Sequence, residues 1–274
     1  MNSYSEALRY AENKFKELGI KSAHLDSIIL LEKTINKGRS YILAHSEENL
    51  SQIDKFKFKK LINKRSKYKP VAQLLSNKEF YGRNFYINKN VLTPRPETEE
   101  IIVQFDELIR NNKLSQKCKV CDLGTGSGVI GITLKLEHPD ISMDLVDLFP
   151  KTLRVAKKNV VIHSTSVNLI KSDLLSKASQ NYDVIVANLP YVPSNIAINN
   201  EAKHEPSKAI FAREDGIYYY RRMFDEIKDF RKKPLYIILE FLDETSDSIN
   251  YLATLNNYKL INRTGLISTY SLSK

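Results

Sequence analysis

Apolar residues along the first 75 positions recur at helical spacing. Tyr4, Leu8, Ala11, Phe15 and Leu18 form one stripe, with Ser3 and Glu6 spaced as a capping box and Gly19 as the stop. Leu25, Ile28, Ile29 and Leu31 predict a second helix over 22–35, which Gly38 ends. Tyr41, Ile42 and Leu43 mark a short third segment. Ser51 caps a longer helix carrying Ile53, Phe56 and Leu61, which runs into the basic stretch Lys64, Arg65, Lys67 and Lys69. Pro70 breaks the pattern, and Val71 to Leu75 make a last apolar turn. These pieces predict a small all-helical domain over residues 1–75. The basic stretch reads as a solvated helix face, with substrate docking as the alternative.

The period then changes. Phe80-Tyr81-Gly82-Arg83-Asn84-Phe85-Tyr86-Ile87 has aromatic strand character on both sides of Gly-Arg-Asn, which predicts a β-hairpin linker over 76–92. A helix is expected to start near Pro96, with Ile101, Ile102, Phe105, Leu108 and Ile109 on one face. From there short apolar runs at 120–123, 141–147, 167–170, 184–187 and 234–241 alternate with helical stripes at 129–137, from Pro150, and through Ile217, Tyr220, Phe224 and Ile227. Two more runs, 258–262 and 266–272, suggest a closing antiparallel pair. Strands alternating with helices dictate a parallel sheet with right-handed crossovers. The expected fold class is therefore α/β, with a seven-stranded, mostly parallel sheet in a domain over 93–274.

Composition narrows the class only modestly. At 274 residues, 42% hydrophobic and 27% charged, the chain has room for one large domain or two unequal ones. The formal charge of +10 favours partners carrying acid or phosphate, although a Lys-, Asn- and Ile-rich composition produces the same excess. No apolar run approaches the ~20 residues of a spanning helix, and the first six residues lack a secretion signal, so a cytoplasmic location without membrane association is expected. Cys118 and Cys121 form a CxxC, but on a strand positions i and i+3 face opposite sides and no second pair completes a site. No metal is expected.

Candidate chemistry gathers at the ends of the strands, where ligands of parallel α/β sheets bind. Asp122 ends the first run and is followed at once by Gly124-Thr125-Gly126-Ser127-Gly128; Asp147 ends the second. Glycines admit a close ligand, and an acid at the second tip can accept from ribose hydroxyls. Gly126, Gly128 and Gly131 also satisfy a dinucleotide fingerprint. An acid followed by glycines at every second position favours the sulfonium and amino acid of S-adenosyl-L-methionine, and no hydride-handling group is evident. At the third tip, Asp173 could accept from the adenine amine and Leu174 could pack on its ring.

The fourth run, Val184-Ile185-Val186-Ala187, stops at Asn188-Leu189-Pro190-Tyr191. An amide or exocyclic amine nitrogen is conjugated and poorly nucleophilic, so a methyltransferase must accept its two protons and turn its lone pair toward the donor. The Asn188 side-chain carbonyl and the Leu189 backbone carbonyl can be those acceptors. Pro190 stiffens the corner, and Tyr191 offers a ring for a planar group.

With these motifs in place the chain resembles the release-factor glutamine methyltransferases, the PrmC/HemK family. The resemblance is carried by Glu79-Phe80-Tyr81-Gly82, by Leu92-Thr93-Pro94-Arg95-Pro96-Glu97-Thr98-Glu99 and by the Asp122-to-Gly128 loop. It extends to Glu205-Pro206, Glu214-Asp215-Gly216 and Tyr220-Arg221-Arg222. It implies a helical substrate-recognition domain ahead of a Rossmann-like, seven-stranded class I methyltransferase domain. It also implies methylation of the side-chain amide nitrogen (N5) of the glutamine in the Gly-Gly-Gln motif of class 1 peptide-chain release factors. Arg95 and Glu97 would support the site from the helix start, and Glu205 would order the covering loop; each is equally suited to a structural ion pair. Where the family has Asn-Pro-Pro-Tyr this chain has Leu189, and where it has Glu-x-Gly this chain has Glu240-Phe241-Leu242. Asn-Leu-Pro-Tyr also resembles the ribosomal-RNA adenine dimethylases. An adenine N6-methyltransferase acting on RNA or DNA therefore stays open, as does a binding protein that keeps the fold without turnover. Direct nucleic-acid binding is possible in the first reading but not required.

Overall fold

Ser3 accepts from the Glu6 backbone N–H at 3.3 Å and starts helix α1 (Tyr4–Glu17), while the Glu6 carboxylate accepts from Asn2, one residue before the box position. α2 (Ala23–Ile35), α3 (Arg39–Ala44), α4 (Gln52–Arg65) and α5 (Val71–Leu75) follow. Ser51 caps α4 by accepting from Asp54. The computed structural model describes residues 1–213 and 215–273, so Glu214 of the family motif lies outside the described residues. By compactness the chain forms two units: Met1–Asn77 with Asn199–His204, and Lys78–Ile198 with Glu205–Lys274. The hairpin, apart from its first residue Asn77, thus belongs to the second unit, and six residues of the later loop belong to the first.

In the helical unit Ala7, Ala11, Phe15, Leu30, Leu31, Ile42, Phe58 and Ile62 are buried together. α4 buries a stripe other than the expected one. Phe58, Ile62 and Arg65, at i, i+4 and i+7, face inward, while Ile53 and Phe56 are exposed. Arg65 is not part of a basic surface: it is 1% exposed, donates to Asp26 at 2.7 Å and pairs with Glu201 at 2.5 Å. His204 reaches the Lys67 carbonyl, and Gln73 donates to the His204 carbonyl.

The second unit opens with the hairpin β1 (Asn77–Phe80) and β2 (Arg83–Tyr86). Its turn is Tyr81-Gly82, both at positive φ, one position earlier than the aromatic pattern suggests. A 3-10 turn over Pro96–Glu99 leads into α6 (Glu100–Arg110). The alternation then runs β3 (Lys119–Leu123), α7 (Val129–Glu137), β4 (Ser142–Asp147), α8 (Pro150–Ile162), β5 (Asn168–Lys171) and β6 (Val184–Ala187). β7 (Val192–Pro193) pairs with β8 (Phe211–Ala212) across a loop that holds α9 (Ser207–Ile210). α10 (Tyr218–Lys228), β9 (Tyr236–Glu240), α11 (Ser246–Leu255), β10 (Tyr258–Thr264) and β11 (Ile267–Leu272) close the chain.

The sheet has seven strands in the order β10-β11-β9-β6-β3-β4-β5, parallel except where β11 pairs with β9 and β10. Its two faces bury separate cores, as period-2 alternation requires. Val120, Val184, Val186 and Ile238 face one core with α6 and α7, and Cys121, Ile185, Ala187, Ile237 and Leu239 face the other with α10 and α11. Cys118 and Cys121 fall in opposite cores, and burial raises both thiols. The strand order reverses beside β3, whose neighbours β4 and β6 lead away in opposite directions. Crevices of such sheets open at that point, beyond the strands' carboxyl ends.

Candidate active site

At the reversal β3 ends and the chain turns through Gly124, Gly126 and Gly128, with φ of +74°, +58° and +84°. Side chains rarely adopt that region. A Cβ on Gly124 would meet Leu189 Cδ2 at 2.8 Å, so the loop and the Asn188 segment approach to within the space of one methyl group. Gly124 and Thr125 donate to the Val146 carbonyl at 2.9 Å, and Gly126 donates to Asp147 Oδ2 at 3.2 Å. Asp122 faces α7 rather than the crevice: Oδ2 accepts from the Thr125 hydroxyl at 2.6 Å and the Gly131 N–H at 2.9 Å. Gly131 permits this, because a Cβ there would lie 2.2 Å from Leu145 and 3.0 Å from the carboxylate.

Burial lifts the carboxyls of both Asp122 and Asp147 to about 6, against the pull of the N–H and O–H groups they accept from. Such upward shifts gather where a fold prepares a site for a ligand.

The crevice is a cleft of about 1090 Å³, its open mouth included. It brings together Gly124, Thr125, Gly126, Ser127, Asp147, Asp173, Leu174, Asn188, Leu189, Pro190 and Arg95 from the expected site. Apolar surface from Val91, Leu92, Val146 and Phe149 lines it too. Asp173 pairs with Arg222 at 3.1 Å at the rim, and Leu174 holds a φ of +45°. Five expected residues lie outside the lining: Asp122 as described, Gly128 at the end of the loop, Glu97, Tyr191 and Glu205. Glu97 is exposed at the start of the 3-10 turn. The Tyr191 hydroxyl donates to Glu240 at 3.2 Å. Glu205 is buried, accepting from the Thr93 N–H at 3.1 Å and Arg95 at 2.7 Å. Glu205 therefore ties the segment before the 3-10 turn to Pro206, Lys208 and Ala209, which form one wall.

Asn188 donates through Nδ2 to Thr98 Oγ1 at 3.3 Å, leaving its oxygen end for other partners. The Tyr220 hydroxyl lies 2.5 Å from the Glu240 carbonyl and 3.2 Å from the Leu189 carbonyl. One hydroxyl has one hydrogen, and the shorter contact takes it. The Leu189 carbonyl thus keeps acceptor capacity.

Sequence reasoning missed Thr98, Glu240 and Asn159. Asn159 is fully buried, joins the hairpin through both backbone groups of Tyr86 and donates to Ser127 O at 2.8 Å, so it braces the glycine loop. Its signal was a lone amide beside Ala156 and Val160 on an apolar helix face. Glu240 carried the same signal as Asp122 and Asp147, an acid near the end of a buried strand.

Two family models match the chain, a PrmC N-terminal domain over residues 6–75 and a methyltransferase small domain over 106–205. A release factor glutamine methyltransferase of Bacillus cereus is 34% identical over 241 residues, covering 86% of this chain and 84% of the relative. The chain belongs to the release factor glutamine methyltransferase family. A Bacillus subtilis member of the family is 32% identical over 88% of this chain and 85% of its own length. A bifunctional methyltransferase of Rickettsia bellii is 31% identical over 95% of this chain, which spans about half (52%) of that longer relative. Among solved structures, the human Mettl16 catalytic domain in complex with an RNA hairpin superposes with a TM-score of 0.56 at 15% identity, covering 74% of this chain and 80% of that one. The Thermus thermophilus 16S rRNA N2 G1207 methyltransferase, in complex with AdoMet and guanosine, gives 0.52 at 13%, covering 72% and 50%. These two share the methyltransferase fold with the family. No helix among the described residues is long and apolar enough to cross a membrane.

Proposed function

We propose that this chain methylates the side-chain amide nitrogen (N5) of the glutamine in the Gly-Gly-Gln motif of class 1 peptide-chain release factors, in the cytoplasm, with S-adenosylmethionine as donor. The observation that supports the reading is the close approach of the Asn188-Leu189 segment to the glycine loop, where a Cβ on Gly124 would meet the Leu189 side chain at 2.8 Å. S-adenosylmethionine supplies a methyl group on a cationic sulfur, an electrophile that needs only an aligned lone pair.

The residues of the cleft fit that donor. Gly124, Gly126 and the adjoining backbone form the cradle, Asp147 has lone pairs for ribose hydroxyls, and Asp173 and Leu174 stand at the rim of the same cleft, suited to the adenine. Asp122 acts one step back, holding Thr125 and Gly131 so that the loop keeps its shape.

On the acceptor side, the Asn188 oxygen and the Leu189 carbonyl hold the two protons of the substrate amide. That turns the nitrogen lone pair out of conjugation and toward the donor. Pro190 keeps the corner extended, and the Tyr191 ring, fixed through its hydroxyl by Glu240, stands beside it. Most of the acceleration comes from this positioning, and the proton of the charged product leaves afterwards to water. Glu205 and Arg95 hold the wall that closes the cleft.

Leu189 in the second position of the tetrapeptide favours one alternative, methylation of an adenine amine in RNA, where the same two acceptors would serve. Radiolabelled methyl transfer to a recombinant class 1 release factor and to purified ribosomal RNA, run side by side, separates the two. Label in the protein supports the glutamine reading, and label in the RNA alone replaces it.

A further inference from the structure

An amide side chain can face a site with either end, and in a methyltransferase of this kind only the oxygen end is useful. The end that Asn188 presents is set by the partner its nitrogen meets. Its Nδ2 meets Thr98 Oγ1 at 3.3 Å, and Thr98 is 3% exposed. Beyond stands Glu240, 1% exposed, with Oε1 accepting from the Tyr191 hydroxyl at 3.2 Å and Oε2 buried without a completed hydrogen bond. Burial raises the Glu240 carboxyl, and polar contacts with the Thr98, Tyr191 and Asn188 side chains pull it back.

An ionised carboxylate can only accept, so every group that meets it must present a hydrogen. Thr98 and Asn188 both make polar contacts with Glu240, so if Thr98 gives its hydrogen to the carboxylate it keeps only a lone pair for Asn188. Asn188 must then offer N–H to that side. When Glu240 is ionised, its charge thereby fixes the polarity of the whole chain of contacts. We propose that Thr98 and Glu240 are positioning residues that pin the nitrogen end of Asn188 and so commit its oxygen to the cleft. The inference rests on the amide-methylation reading for its effect on turnover, but not for the orientation itself.

Two measurements test it. Thr98→Val replaces the hydroxyl by a methyl of similar size. It should lower kcat on the release factor on the order of 10- to 100-fold while S-adenosylmethionine affinity stays within about twofold. Thr98→Ser keeps the hydroxyl and should recover most of that turnover, and Glu240→Gln should resemble Thr98→Val. Unchanged turnover in Thr98→Val, or an equal loss in Thr98→Ser, overturns the proposal in favour of packing. Independently, the side-chain amide protons of Asn188 in nitrogen-15-labelled protein without substrate should exchange slowly in the parent and faster in Thr98→Val and Glu240→Gln. Equal exchange in all three overturns the proposal. Faster exchange together with a parent that transfers no methyl to glutamine would instead remove the substrate reading and leave the orientation standing.

Discussion

The Gly126 backbone N–H donates to the Asp147 carboxylate at 3.2 Å, tying the loop after β3 to the tip of β4. The contact requires Gly126 at φ +58°, where a β-branched residue costs roughly 1–2 kcal/mol of strain before any clash with a ligand. Gly126→Val should therefore abolish S-adenosylmethionine binding by titration calorimetry. The helical unit, which does not contain the loop, should keep its circular dichroism signal. Retained micromolar binding would remove the loop from the donor site.

The elevated carboxyls of Asp122 and Asp147 make stability fall as pH rises. Each binds its proton more tightly in the fold than in the unfolded chain, where it titrates near 3.8. Their contribution is thus full below pH 4, declines between about 4 and 6 and is lost above, by on the order of 2–3 kcal/mol for each carboxyl. Asp122→Asn can keep an oxygen toward Thr125 and Gly131 and place its NH2 where Oδ1 has no partner. Melting curves at pH 4.5, 6 and 8 should show a shallower decline in this variant than in the parent. Donor affinity should run the other way, weakening below about pH 6 as Asp147 takes up the proton that blocks it as an acceptor.

Arg95→Ala should loosen the wall of the cleft. Its partner Glu205 is buried, and without Arg95 it would keep only the Thr93 N–H. The cost should be about 1–3 kcal/mol of stability, with a raised KM for the release factor. Glu205→Gln, which removes the buried charge along with the ion pair, should be milder in melting temperature and similar in KM. An unchanged KM in both would make the pair purely structural.

In the helical unit, Arg65→Ala would leave Asp26 buried without its cation. A loss of about 3–5 kcal/mol is expected in chemical denaturation. Arg65→Ala together with Asp26→Ala should recover part of that loss, which a surface arginine would not show.

Much of this architecture was legible because burial leaves a period in the sequence. β6 is a continuous apolar run and β9 is one up to Glu240, because both their faces are covered, while β3 and β4 keep apolar runs interrupted by Asp122 and Asp144; α7 fills 129–137 as its stripe predicts. α11 went unseen: only Ser246, Ile249 and Ala253 of its ten residues are buried, and Tyr251 and Leu255 lie on its exposed side, so no clean stripe forms. In α4 the same logic failed in reverse, since Phe56 advertises a core position it does not occupy while Arg65 occupies one. Site residues that point into the cleft were readable from strand tips and glycines. Thr98, Asn159 and Glu240 act through another group, and which groups meet across a fold is set by packing rather than by spacing along the chain.

The central claim is tested most directly by mass spectrometry of a recombinant class 1 release factor incubated with S-adenosylmethionine and either the parent protein or Asn188→Ala. The account predicts the mass of one added methyl group on the glutamine of Gly-Gly-Gln with the parent. In the variant the rate should be lower by about 10²- to 10³-fold, the loss typical when one preorganised polar contact to the reacting group is removed. A parent that leaves the glutamine unmodified, or an Asn188→Ala variant that methylates it as fast as the parent, would contradict the account.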